Sequence, residues 1–270
     1  MIKKPSFLLV VATLGFAFLY VPIISLVVFS FNESRLVTVW SRFSTKWYGE
    51  LLRDEQILTA AWMSFKIGAI SATSALVLGT LAAMVLQRFG RFRNKTLLTG
   101  MISAPLVMPE VITGLSLLLL FVAMESAFGW PAGRGLTTII IAHTTFCMAF
   151  VAVVVQARLA DMDRDQEEAA MDLGATPLRV FWDITLPAIA PALVSGWLLA
   201  FTLSLDDLVI ASFVSGPGAT TLPMLIFSKV RLGVSPDVNA LATLMILIVA
   251  LGVGLAAWVA HRGKPDQLSE

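Results

Sequence analysis

Six stretches of this chain, near residues 7–31, 61–87, 97–124, 136–155, 189–215 and 240–260, run for about twenty residues or more with almost no charge. A hydrocarbon core of ~30 Å takes about 20 apolar residues to cross as a helix, so each stretch is long enough to span a bilayer. Composition agrees with lipid as the solvent. The 270 residues are 57% apolar and 14% charged, with mean hydropathy +0.85, whereas a soluble domain holds about 25% charged residues. The expected fold is therefore an all-α integral membrane protein with six transmembrane helices, organised as one membrane domain over residues 1–270. The first stretch is too long for a cleaved signal peptide and is expected to remain as a spanning helix.

A net charge of +1 argues against a basic nucleic-acid-binding face. The single cysteine, Cys147, lies in an apolar run and reads as a buried small hydrophobe. Orientation follows from the connections. With the N-terminus in the cytoplasm, the inner side carries eleven Lys and Arg residues, among them Lys3, Lys4, Arg262 and Lys264, and the outer side seven. The cluster Arg88-Phe89-Gly90-Arg91-Phe92-Arg93 is the densest short basic connection, and such loops resist translocation. Both termini are thus expected to be cytoplasmic.

The longest outer connection, Asn32 to Ala60, carries Trp40, Trp47 and Tyr48, which suit a segment at headgroup level. The last one turns at Gly216-Pro217-Gly218 and continues into Leu222 to Val230, too short to span and expected as a re-entrant or interfacial helix. No internal repeat is evident.

Between the fourth and fifth stretches lies a polar insertion, residues 156–188, with seven acids and three bases. Asp165 and Glu168 fit a capping box for a short helix ending at Leu173. Gly174 suits the left-handed residue that closes it. Thr176-Pro177 reads as N-cap and first residue of a second helix, with Leu178, Phe181 and Thr185 on one face and Pro187 before the next span. Two short helices at an angle make a rigid knob, which is what transmitting a push requires. Ala169 and Ala170 offer a close-packing surface, and Glu168 a charge for a partner's arginine.

The chain lacks a nucleotide site. Gly263-Lys264 is followed by Pro265 and has no upstream glycine at phosphate-loop spacing. No His, Cys and Asp set has metal spacing, His143 reads as a hydrogen-bonded packing residue, and His261 falls at the end of the last span.

Four ionisable residues fall within expected spans, Lys66, Glu110, Asp206 and Asp207, and each costs roughly 2.5–3.5 kcal/mol at the bilayer centre. Glu110 is expected near the middle of its span, after Pro105 and Pro109, whose freed carbonyls could line a wet cavity. Asp206 and Asp207 are expected ~7 Å outside the midpoint of theirs. Three acids against one base would suit a cationic passenger. Lys66 is the possible charge partner of one aspartate. Because neighbours on a helix point about 100° apart, one aspartate is expected to serve structure and the other the pathway, with neither assignment preferred.

The insertion resembles the "EAA" loop of ABC-importer permeases: Glu168-Ala169-Ala170, then Gly174, then Ile184-Thr185-Leu186-Pro187. More widely, Ser30-Phe31-Asn32 with Trp47-Tyr48, Ala104-Pro105-Leu106-Val107-Met108-Pro109-Glu110 and Phe201-Thr202-Leu203-Ser204-Leu205-Asp206-Asp207 look like the permeases of the spermidine/putrescine importers, in the shorter of their two membrane subunits. Ser215-Gly216, Leu222-Pro223, Gly233-Val234-Ser235-Pro236 and Val238-Asn239-Ala240-Leu241-Ala242-Thr243 extend the likeness over nearly the whole chain. The resemblance implies a type I ABC-importer permease fold in a bacterial inner membrane. It also implies a second, non-identical permease, an ABC ATPase dimer that binds ATP and Mg, and a periplasmic polyamine-binding protein. Glu168, Ala169, Ala170, Gly174, Leu186 and Pro187 would couple to the ATPase. Asp206, Asp207 and Glu110 would line the substrate pathway. A permease for another small solute, a self-sufficient ion-gradient transporter and a membrane scaffold are the competing readings.

Overall fold

In the computed structural model, residues 5–36, 39–233 and 236–262 are described, with side chains from Phe7 onward and, in the last helix, up to Leu251 apart from Val249. Lys3, Lys4, Val234, Ser235 and the Gly263-Lys264-Pro265 stretch lie outside the described residues, as do the side chains of His261 and Arg262. Among the described residues the fold is helical, with one isolated antiparallel bridge, Asn32 to Phe43. Backbone contacts group the chain into two units, Met1–Leu58 with Ile226–Glu270, and Thr59–Leu225.

Among the described residues, five helices are long and apolar enough to cross a membrane. They are α1 (Pro5–Phe29), α3 (Glu55–Arg88), α5 (Glu110–Phe128), α6 (Leu136–Ala160) and the continuous stretch that ends in α9 (Leu186–Asp206). The sixth expected span is α12 (Pro236–Arg262), whose 27 residues extend about 40 Å. Shorter helices are α2 (Lys46–Leu51), α4 (Lys95–Val107), α7 (Asp165–Asp172), α8 (Pro177–Val180), α10 (Val209–Val214) and α11 (Leu222–Leu232).

Two expected spans are broken. The stretch 97–124 is two helices, because Pro109 forces Met108 out of helical geometry, to φ −76° and ψ 136°. Pro105, by contrast, is accommodated inside α4. The stretch 189–215 ends at Asp206, turns extended at Asp207 (ψ 120°), and resumes as α10.

In the larger unit, α6 is the central helix, with buried residues along most of its length. Small residues let its neighbours approach, the usual device where lipid removes the hydrophobic drive between helices. A Cβ on Gly79 of α3 would lie 2.8 Å from the Val151 side chain, so only glycine fits that crossing. Across α9, Cys147 Sγ donates to the Ala200 carbonyl at 3.4 Å, and both residues are fully buried, as expected for the cysteine. Trp197 Nε1 on α9 donates to Thr73 Oγ1 of α3 at 3.1 Å.

In the smaller unit, Asn32 is fully buried and organises the turn after α1. Its Nδ2 donates to the Val39 carbonyl at 2.8 Å, and its Oδ1 accepts the Ser41 N–H at 3.0 Å. Trp47 is a packing anchor within the outer connection. It is 5% exposed and donates to the Asn32 carbonyl at 2.7 Å, because an indole N–H buried this deeply needs a partner. Tyr48 shares a 2.6 Å hydrogen bond with Ser30, and Trp40 is the exposed aromatic of the three. The helix expected after the Gly216-Pro217-Gly218 turn is α11, at about 17 Å too short to cross. Lys229 in α11 joins Asp54 (3.1 Å) to Asp237 (2.9 Å) at the start of α12. Burial disfavours the charged Asp54, yet the Lys229 ammonium and the N–H groups of Ile57 and Gln56 hold its carboxyl below the usual value of 3.8. Burial likewise opposes the charge on Lys229, and hydrogen bonds to Asp237 and Asp54 raise its pKa above 10.5.

Candidate functional site

The polar insertion folds as an elbow. Its first helix, α7, starts without the expected capping box. Arg164 is already helical (φ −76°, ψ −20°), and the Asp165 N–H is taken by the Asp163 carboxylate at 3.1 Å. Asp165, Glu167 and Glu168 instead place negative charge on the first turn, where the helix dipole favours it. The far end is as expected. Gly174 adopts φ +88°, the Gly174 N–H bonds to the Met171 carbonyl at 2.9 Å, and the Ala175 N–H bonds to that of Ala170 at 3.0 Å. This pair of bonds is the Schellman closure, and a left-handed residue is its requirement.

Thr176 is extended (ψ 151°) and Pro177 opens α8, though the threonine hydroxyl makes no capping bond. From there the helix runs on into α9 through one π turn, Phe181–Thr185, in which the Leu186 N–H reaches back five residues to the Phe181 carbonyl. The wider turn takes up the proline at 187, which has no N–H for the carbonyl four residues before it. The second limb of the elbow is thus the base of the α9 span itself, not a separate helix in front of it. The same widening shifts the register. Thr185 is buried, Phe181 half-buried and Leu178 exposed, so the three do not share the single face expected of them.

Glu168, Ala169 and Pro187 are exposed, and Ala170 and Leu186 half-buried. Met171, Leu173 (91% exposed), Leu178 and Trp182 present apolar surface around them. The adjacent acid, Glu167, turns inward. Its carboxylate meets Arg88 at the end of α3, Oε2 to Nε at 3.1 Å and Oε1 to an Nη at 3.1 Å. Thr185 Oγ1 donates to the same Oε1 at 2.7 Å. Arg164 donates to the Gln87 carbonyl at 2.5 Å. A cavity of about 310 Å³ lies beside this cluster, lined by Met84, Met171, Pro177 and Phe181 among others. Sequence reading noted Arg88 only for its bearing on orientation and gave Glu167 no role; residues 79 positions apart carry no local sign of a pairing.

The acids expected in the pathway come together. Glu110, Asp206 and Asp207 line one cavity of about 230 Å³ with Phe146, Leu203, Leu208 and Val209. Glu110 stands at the first residue of α5 rather than in mid-helix, where the helix N-terminus favours a carboxylate. Asp206 ends α9 and is exposed, while Asp207 is 7% exposed. Asp207 Oδ1 accepts the Ala211 N–H at 2.8 Å, tying the extended break to the first turns of α10.

Lys66 is not the charge partner. It is exposed on α3 and makes no ion pair among the described residues. Asp207 instead faces His143, whose Nε2 lies 3.4 Å from Oδ1. The other ring nitrogen, Nδ1, shares a 2.7 Å hydrogen bond with Ser204, so His143 is the hydrogen-bonded packing residue expected, with an additional link to the acid. That link, too, joins residues far apart in sequence. Among the described residues no cluster of His, Cys, Asp and Glu has the makings of a metal site.

Comparison with known proteins fits this arrangement. Residues 75–264 match the family of "binding-protein-dependent transport system inner membrane component" proteins. The chain is 65% identical over 93% of its length, and 89% of the relative's, to the putrescine transport system permease protein PotI of Escherichia coli K12. It is 42% identical over 92% of its length, and 91% of the relative's, to the spermidine/putrescine transport system permease protein PotC of the same organism. In fold it is similar to a chain of a bacterial ABC transporter involved in the import of the acidic polysaccharide alginate. The TM-score is 0.71 at 19% identity, covering 95% of this chain and 98% of the other.

Proposed function

The chain belongs to the family of binding-protein-dependent transport system inner membrane components, and we propose that it is the polyamine-conducting permease subunit of an ATP-driven importer. It is a multi-pass membrane transport component and not an enzyme. The observation that carries the substrate class is the extent of its identity to a putrescine permease. The cavity shared by Glu110, Asp206 and Asp207 supports it, since its two exposed carboxylates, Glu110 and Asp206, suit a passenger with two ammonium groups.

In this reading the whole chain, residues 1–270, works as one permease domain with both termini in the cytoplasm. A second, non-identical permease completes the pathway, and a periplasmic polyamine-binding protein delivers the substrate. An ABC ATPase dimer binds ATP and Mg and docks on the elbow through Glu168, Ala169 and Ala170, with the exposed apolar surface at Leu173 and Leu178 around them. Gly174 keeps the elbow closed and stiff, and Leu186 and Pro187 join it to α9. Displacement of the elbow then travels along an unbroken helix to Asp206 at its far end. Asp206 is the acid that meets the passenger, and Asp207 braces the break behind it.

The test is reconstitution of the complete transporter in liposomes with its binding protein outside and ATP inside. Saturable putrescine accumulation that stops without ATP is expected. Accumulation of an amino acid or a sugar in its place assigns the permease to another solute. Accumulation driven by an ion gradient without ATP removes the importer reading.

A further inference from the structure

The first helix of the elbow, α7, has no buried residue. Apolar packing therefore does little to hold it, and a helix of eight residues held by its loops alone would swing when pushed. What does hold it is polar and specific. Arg88 donates from an Nη to Glu167 Oε1, its Nε stands 3.1 Å from Oε2 as an ion pair without a hydrogen bond, and the Glu167 and Arg88 side chains are only 12% and 13% exposed. Thr185, 2% exposed, donates to the same carboxylate from the π turn. Beside them the Arg164 guanidinium grips the Gln87 carbonyl, a second tie between elbow and α3. One charge-assisted hydrogen bond backed by the ion pair fixes the distance between α3 and α7, and the Thr185 hydroxyl on the same carboxylate ties in the π turn.

We infer that Arg88, Glu167 and Thr185 form a transmission clamp, which makes the end of α3, the α7 helix and the π turn one mechanical body. The inference rests on the reading of the elbow as the ATPase-docking element. A push on the elbow then reaches two spans. It enters α9 through the continuous chain, and α3 through the clamp. The clamp stays closed through the cycle, because opening it would leave a charge unpaired in a half-dry site. Neighbouring acids divide the work: Glu168 faces outward to the partner, and Glu167, about 100° around the helix, holds α3. Arg88 and Glu167 are positioning residues that touch neither substrate nor nucleotide.

The complete transporter in liposomes gives the test, with putrescine uptake and ATPase retention measured together. R88E and E167R are each expected to lower ATP-driven uptake by about tenfold while the ATPase still co-purifies, and the double reversal R88E/E167R to recover most of it. In a separate arm, R88C/E167C is expected to be impaired until a cleavable bifunctional thiol reagent joins the two cysteines, and to recover uptake once joined. The native Cys147 is buried and stays out of that reaction. Normal uptake in either single reversal overturns the clamp. So does a joined pair that is arrested and released on cleavage, which would make the contact a latch that must open. Should a reversal fail to assemble, the cysteine pair decides alone. Absence of ATP-driven uptake in the wild-type vesicles would be a failure of the importer reading, and is distinguishable from failure of the clamp.

Discussion

Adjacent aspartates at the end of α9 have opposite environments, and this separates their roles. Asp207 is buried, accepts a backbone N–H of α10 and faces His143, whereas Asp206 is exposed at the cavity. Removing charge from each should therefore cost different things. In Asp207→Asn the amide oxygen still accepts the Ala211 N–H, so the fold is expected to persist, while Asp207→Leu strands that donor and should destabilise by about 1–3 kcal/mol. Asp206→Asn is expected to leave the melting temperature unchanged and to lower putrescine uptake by about tenfold, the factor that 1.4 kcal/mol of lost interaction gives. Thermal unfolding and uptake, measured on the same three variants, check this. An Asp206→Asn protein that transports normally takes that residue out of the pathway.

At the level of elements, the parts legible in the sequence are those fixed by constraints within a few residues. Gly174 and Thr176-Pro177 could be placed because a left-handed closure and a proline at a helix start depend on backbone angles alone. Pro109 announced a disturbance, but not that it would divide a span. The end of α9 at Asp206 has no proline or glycine to mark it; what stabilises the break is a carboxylate bonding onto α10. The Glu167 clamp and the His143 contact are settled by packing between distant segments, which periodicity does not see. The Asp54–Lys229–Asp237 set belongs to the same class and yields a pH prediction. A carboxylate with a lowered pKa contributes stability above its unfolded value and loses it as pH falls through the folded one. A lysine with a raised pKa contributes below its unfolded value and loses it only as pH climbs past the folded one. Asp54 and Lys229 thus contribute in full between 3.8 and 10.5. Lys229→Met is expected to lower the unfolding midpoint by about 3 °C at neutral pH, corresponding to about 1 kcal/mol. The difference from wild type should close as the pH drops below 3.8, and should not close on moderate alkalinisation. Equal melting of the two proteins at pH 7 would mean that the cluster contributes nothing.

For the molecule as a whole, the charges of the connections bear on sidedness. The chain passes from α1 through α3, the α4–α5 pair and α6 before it reaches the elbow. If each of these is one crossing, the elbow lies four crossings from the N-terminus, and the connection between α1 and α3 lies one. The two must then face opposite sides of the membrane, whichever way the chain is inserted. Short basic connections are retained on the cytoplasmic side, so the Arg88–Arg93 cluster predicts a cytoplasmic elbow. The α4–α5 pair counts as one crossing: α5 alone is long enough to span, and Arg88 at the end of α3 meets Glu167 of the elbow, so an even number of crossings separates them. Were α4 and α5 two crossings, the elbow and Arg88 would lie on opposite faces, which their 3.1 Å contact forbids. Single cysteines at Leu173 and Arg42, both exposed, separate these outcomes. A membrane-impermeant maleimide is expected to label Arg42→Cys in intact spheroplasts and Leu173→Cys only in inverted vesicles. Labelling of both from the same side would overturn the count of crossings, and would carry the elbow beyond the reach of any cytoplasmic ATPase.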